Sequence, residues 1–261
     1  MFVHVRFYVQ FRLRGESNNT GDLLRASLLL GKAGYPDYFG RAEKILRSHL
    51  LPSQAIDVGH YSDNSAAAED RLRSLASRIR GGFSFPTPND MQIGPDAPIF
   101  VYDITSGAVD ALCETYRSVV QEDSGDARVH LLLSIETKDL GVTSFLSGEG
   151  RIRIDSRSAR NVWVRIPNWV RPSDVSVEAD GAAVQKRFIG RYLLLGGTGG
   201  SRSVTIHFPI RWERTVESIA YQSFTIDWKG DQIVAMSPPA VPNPAMEPLP
   251  KPRILMFPPC N

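Results

Sequence analysis

Three carboxylates stand where side chains can move protons. Glu16 lies in Gly15-Glu16-Ser17-Asn18-Asn19, directly before a helical pattern. A carboxylate at a helix entrance can hold a cation or act as a general acid or base. The same placement also suits a helix dipole with no chemistry attached. Asp90 sits in a long Gly- and Pro-rich stretch, and Asp103 follows it, where it can also help cap the next helix. Phe83, Phe85 and Tyr102 lie in or beside the same stretch. Their rings can stack on the apolar face of a sugar, or they can anchor the loop as ordinary hydrophobes.

Other chemistries find less support. The histidines are His4, His49, His60, His130 and His207, and no two have the i, i+4 spacing of a helical metal motif. His130 and His207 fall in strand patterns, as surface or packing residues. No serine has a G-x-S-x-G context. The glycines of Gly196-Gly197-Thr198-Gly199-Gly200 precede a strand pattern, so the helix N-terminus of a dinucleotide fingerprint is missing. Cys113 and Cys260 form no CxxC pair. Neither a metal-ligand set nor a cofactor is expected. Trp163, Trp169, Trp212 and Trp228 all lie in the second half. Exposed and coplanar they would make a carbohydrate platform; buried, they are sandwich packing.

The totals set the class. The chain has 261 residues, 42% hydrophobic and 22% charged, with a net charge of +2. That composition supports a sizeable globular core. Acidic and basic residues are interleaved, as at Glu69, Asp70, Arg71 and Arg73, so no basic stripe for nucleic acid is expected. No apolar run reaches the roughly 18 residues of a membrane span, and no membrane partner is expected. Met1 to Arg14 alternates strictly, with Val3, Val5, Phe7, Val9, Phe11 and Leu13 on one face. This predicts a half-buried strand and not the unbroken apolar stretch of a signal peptide.

The elements that must position these residues follow from periodicity. Four helices are expected: Asp22 to Lys32, Pro36 to Pro52, Ala66 to Arg80, and Gly107 to Gln121. Between the last two, Gly81 to Pro98 predicts a long loop of the kind often tied to function. After Gly125 the period becomes 2. Strands are expected at Val129–Glu136, Gly141–Leu146, Gly150–Asp155, Val162–Ile166, Val175–Ala179, Arg191–Leu195, Val204–Phe208 and Ser223–Trp228. Asp180-Gly181 signals a tight hairpin. Nine prolines between Pro238 and Pro259 predict an extended tail.

The order of these motifs resembles the glycoside hydrolase family 127-like proteins, the β-L-arabinofuranosidase group. The resemblance rests on Glu16-Ser17-Asn18, Asp22-Leu23-Leu24-Arg25-Ala26, the run from Tyr38 to Gln54, Asp103 to Tyr116, and Val162-Trp163-Val164-Arg165-Ile166-Pro167-Asn168-Trp169. Asp180-Gly181 followed by Gly190-Arg191-Tyr192-Leu193 stands where the family has a hairpin. The resemblance implies an (α/α) toroid followed by β-sandwich domains. It also implies a zinc site in which a Glu-x-Cys segment and a later Cys-Cys pair are ligands and one cysteine is the nucleophile. Glu16 matches the glutamate, but Asn18 stands at the first cysteine and Ile104 and Thr105 stand near the pair. A neutral amide and an alkyl group cannot replace thiolates on zinc.

The expected fold class is therefore α+β, with partial toroid helices followed by an antiparallel β-sandwich. The expected organisation is a toroid-type region at 1–121, a sandwich at 126–238 and a tail at 239–261. The expected function is that of a glycoside hydrolase-like protein, an incomplete catalytic domain acting on or binding carbohydrate. Glu16, Asp90 and Asp103 supply the carboxyl groups that glycosidases need in pairs. The alternative is a non-catalytic carbohydrate-binding or structural fragment.

Overall fold

The computed structural model describes residues 17–54, 56, 58, 63–67, 73–83, 102–157, 161–196, 202–219 and 222–237. The alternating segment 1–14, Glu16, Phe85, Asp90 and most of the long loop lie outside them, as do the glycine run at 197–200 and the proline-rich tail. The chain is α+β, with its described α-helices before residue 118 and mainly antiparallel sheets after it. It divides into two compact units.

The first unit takes its described residues from 17–25, 44–112 and 212–237. Helix α1 (Ser17–Lys32) contributes its first half, and the late helix Tyr102–Arg117 its residues up to 112. The two cross closely because glycines face the contact. A Cβ on Gly21 would lie 3.0 Å from Ala111 Cβ, and one on Gly107 would lie 2.8 Å from Asn18 Cβ. Arg25 and Asp110 form an exposed ion pair at 2.9 Å across the same crossing.

Both helices begin five residues before the expected starts at Asp22 and Gly107. Polar residues hid those first turns. The second helix, α2 (Asp37–Ile45), ends short of Pro52, and its last turns widen into a π turn at Leu46–Leu50 and a 3₁₀ turn at Leu51–Ser53. Proline has no N–H to continue the α-helical ladder. Of the third expected helix, only α3 (Leu75–Ile79) forms within the described residues, because Ser74 adopts the left-handed conformation at φ 49°. The late helix is α4.

The same unit carries a three-stranded antiparallel sheet. Its strands lie in chain order and are numbered with those of the second unit, as β12 (Trp212–Ile219), β13 (Gln222–Lys229) and β14 (Gln232–Ser237). Phe224, Ile226 and Trp228 alternate onto its buried face, with Ile233 and Met236 beside them. Strand β14 packs on the π turn. Lys44 Nζ lies 3.7 Å from the Trp228 ring centroid, while Trp228 Nε1 donates to Thr215 Oγ1 at 3.0 Å.

The second unit takes its described residues from 26–43 and 113–211. Its strands are β1 (Val120–Asp123), β2 (Asp126–Val129), β3 (Ile135–Glu136), β4 (Leu140–Ser144), β5 (Arg151–Ser156) and β6 (Asn161–Arg165). They continue with β7 (Ser176–Ala179), β8 (Ala182–Ala183), β9 (Arg187–Ile189), β10 (Tyr192–Leu195) and β11 (Arg202–His207). One sheet has the order β1-β2-β6-β10-β9, the other β3-β4-β5-β11-β7-β8. Alternate residues of both sheets, among them Val129, Val142, Ile154, Val164, Leu193 and Ile206, form one hydrophobic cluster.

Pairing is antiparallel except at β2 and β6, which run parallel. The expected strand Val129–Glu136 is interrupted after Val129, and Val120 and Gln121, read as the end of a helix, open the strand Val120–Asp123. The Asp180-Gly181 turn forms as expected: both residues take positive φ, 52° and 80°, and Ala179 pairs with Ala182. Gly150 permits a close approach. A Cβ there would sit 1.8 Å from the Phe208 carbonyl oxygen.

Candidate functional site

Of the residues singled out for chemistry, Asp103 and Tyr102 open helix α4, and the described structure extends to their backbone alone. Phe83 is fully buried. Its N–H donates to Thr105 Oγ1 at 3.1 Å, and its carbonyl accepts from the same hydroxyl at 3.1 Å. No face of the ring is open to a sugar. Phe83 is an anchor for the start of the loop, bridged to Gln54 as an isolated β pair.

Around the start of α1 the first unit gathers polar groups under cover. Ser17 and Thr20 are buried, and Thr20 Oγ1 lies 3.0 Å from Nδ1 of the buried His49. His49 stands on the π turn, whose extra residue per turn is a common feature of functional sites. Asn18 Oδ1 is buried without a hydrogen-bond partner. The two helix starts thus bring Asn18 against Gly107, one turn beyond Asp103.

These residues test the zinc site that the resemblance implies. Ile104, near the expected cysteine pair, is 2% exposed and belongs to the core. The Thr105 hydroxyl is committed to the Phe83 backbone. Asn18 offers an amide where a thiolate is required. The donor set does not fit zinc.

A second polar cluster lies wholly in the other unit and was not singled out beforehand. Glu43 of α2 and Arg165 of β6, each about 1% exposed, form an ion pair through Oε2 and Nη2. Arg165 Nε donates to the His130 carbonyl at 2.6 Å, and Leu132 N–H donates to Glu43 Oε2 at 3.3 Å. The His130 ring stacks on Phe39 at 4.2 Å and 11°. Its Nδ1 lies 2.6 Å from the Tyr192 hydroxyl and its Nε2 lies 3.2 Å from Gln121 Oε1.

This geometry fits one protonation state. Nε2–H donates to the amide oxygen, and Tyr192 O–H donates to Nδ1. Burial first, then the Arg165 charge, lowers the His130 pKa to about 4. Burial also raises the Tyr192 phenol to about 12. The cluster is a neutral imidazole–phenol pair beside a compensated ion pair, suited to fixing α2 on the sheet. Gly40 belongs to the same contact, since a Cβ there would lie 3.2 Å from Asn168 Nδ2.

The fold has known counterparts. A GH127 β-L-arabinofuranosidase from Geobacillus stearothermophilus matches with a TM-score of 0.52 at 15% identity, covering 84% of this chain and 36% of its own. A GH127 β-arabinofuranosidase matches with a TM-score of 0.57 at 18% identity, over 84% of this chain and 36% of that one. A further glycoside hydrolase matches at 0.55 and 12% identity, over 84% and 37%. No family model and no curated protein sequence matches the chain. The chain is therefore GH127-like in fold, and it spans about 36% of the length of these GH127 proteins.

Proposed function

We propose that the chain is a part of a glycoside hydrolase-like protein that acts on or binds carbohydrate. In this reading α1, α2, α3 and α4 are toroid helices within a region at 1–121, and the two packed sheets belong to a β-sandwich region at 126–238, followed by a tail at 239–261. The catalytic domain is incomplete in this chain. One observation carries the reading: two motifs of the resemblance, around Glu43 and around Arg165, meet as a buried ion pair inside a GH127-like fold.

Glu16, Asp90 and Asp103 are the proposed carboxyl groups, with Phe85 and Tyr102 as proposed sugar contacts. The test is hydrolysis of aryl arabinofuranosides and other aryl glycosides by the purified chain. Turnover that disappears in Glu16→Gln supports catalysis by carboxylates; turnover unchanged in Glu16→Gln rejects that assignment.

The second reading is a non-catalytic carbohydrate-binding part. It is favoured by Asn18, Ile104 and Thr105 at or near positions where the resemblance implies thiolates. Glycan binding without hydrolysis, unchanged in Glu16→Gln, would support it.

A further inference from the structure

Helix α1 is apolar on two sides, and only one of them is covered. Ser27, Leu28 and Gly31 are buried, and Gly31 lies against α2, where a Cβ would sit 2.8 Å from the Phe39 ring. Ala26, Leu29, Leu30 and Ala33 recur at i, i+3, i+4 and i+7 and are all exposed, Leu29 at 64% and Leu30 at 38%. Ala33 still belongs to the last turn, since its N–H donates to the Leu29 carbonyl at 2.9 Å. Residues at this spacing are neighbours on one face, so they form a continuous stripe. A helix that is apolar all round is one that is covered all round.

The end of the helix lengthens the stripe. Gly34, at φ 103°, donates to the Gly31 carbonyl at 3.2 Å, and Tyr35 N–H donates to the Leu30 carbonyl at 3.1 Å. This Schellman turn brings the residue after the glycine back beside Leu30. Tyr35 is 60% exposed there. The basic residues flanking the stripe face carboxylates of α4: Arg25 lies 2.9 Å from Asp110, and Lys32 lies 3.8 Å from Glu114. The stripe itself carries no charge. An anionic membrane or a nucleic acid would need unmatched cations here.

The order of residues selects the occupant. From the midpoint between Leu29 and Leu30 the stripe reads leucine and then, three positions on, alanine, in both directions. A two-fold axis through that midpoint makes two such helices antiparallel. It sets Leu29 of one copy against Leu30 of the other, and Ala26 against Ala33. The surface is therefore complementary to itself, as an isologous interface requires. The Ala26–Leu30 and Leu29–Ala33 rows are i, i+4 ridges, whose small ends admit the leucines of the opposite helix. The stripe covers about 10 Å of helix, about 10 Å wide. That is well below the roughly 800 Å² per partner of a standard interface, so the pair it supports is weak.

We infer that the open stripe of α1 pairs antiparallel with the same stripe of a second copy of this chain, as a weak two-fold dimer. The inference is independent of the carbohydrate reading proposed above.

The test is sedimentation velocity of the full chain from about 1 to about 200 μM, with thermal melts of each variant at the lowest concentration. The wild-type chain dimerises with a dissociation constant of about 10–100 μM. Leu29→Asp and Leu30→Lys each weaken self-association at least tenfold while keeping the wild-type melting temperature. An equimolar mixture of the two variants recovers dimer, because the axis sets Asp at 29 against Lys at 30 and leaves the other Leu29–Leu30 contact intact. A wild-type chain that stays monomeric throughout overturns the inference and leaves the stripe to further chain of a longer fold. A dimer that Leu29→Asp does not weaken places the interface on another face and overturns it too. Loss in both variants with no recovery on mixing overturns the antiparallel pairing.

Discussion

Glu43 and Arg165 are both about 1% exposed, and each is the other's charge partner. Two ions removed from water are tolerable only as a pair with further hydrogen bonds, here to the His130 carbonyl and the Leu132 amide. Removing one partner leaves the other as an uncompensated buried charge. Glu43→Leu and Arg165→Met should each cost about 3–5 kcal/mol in urea unfolding. The double variant Glu43→Leu/Arg165→Met should cost less than the sum of the two single changes. Additive losses would show that the pair is not coupled.

His130 predicts an acid limb of stability. Its pKa is lowered from 6.5 to about 4 in the folded chain, so the unfolded chain binds the proton first. The neutral ring's contribution is fully present above pH 6.5 and is lost as pH falls toward about 4. The loss amounts to about 3 kcal/mol at most. His130→Gln should therefore flatten the fall in unfolding free energy between pH 7.5 and 4.5 relative to wild type. Parallel profiles would place the acid sensitivity elsewhere.

Gly150 tests the close approach between β5 and the segment after β11. Its carbonyl accepts from Phe208 N–H at 2.8 Å, and an added Cβ would overlap the Phe208 carbonyl oxygen. Gly150→Ala must shift backbone and should cost at least about 2 kcal/mol. Gly148→Ala, which meets nothing within 4 Å, should stay within about 0.5 kcal/mol. Thermal melts of the two variants give the comparison.

Phe83 separates an anchor from a sugar contact. Phe83→Leu should lower the unfolding free energy through lost packing, by about 1–2 kcal/mol. Glycan binding should not change at temperatures where the variant is folded. Loss of binding with unchanged stability would restore the stacking role.

Local chemistry made much of the β region readable. Arg151–Ser156 and Arg202–His207 alternate, and Asp180-Gly181 can take the positive φ that its turn demands. The parallel pairing of β2 with β6 was not readable, because it depends on which strands become neighbours after long excursions of chain. The break at Ser74 was hidden because Leu72, Leu75, Ala76 and Ile79 keep helical spacing across it. Phe83 offered two readings that only burial separates. Glu43 was not singled out, since nothing near it in sequence reveals a buried arginine partner. The three carboxylates first singled out remain candidates on residue type and position.

The distance along the chain between Glu43 and Arg165, 122 positions, has a consequence during synthesis. At about 5–20 residues per second, a ribosome takes roughly 6–24 s to reach the arginine after making the glutamate. Helix α2 must wait through that interval with its acidic side chain hydrated and its apolar stripe uncovered. Docking of α2 is therefore a late event on the ribosome, and Phe39 and Ala42 are the surfaces a chaperone would meet first.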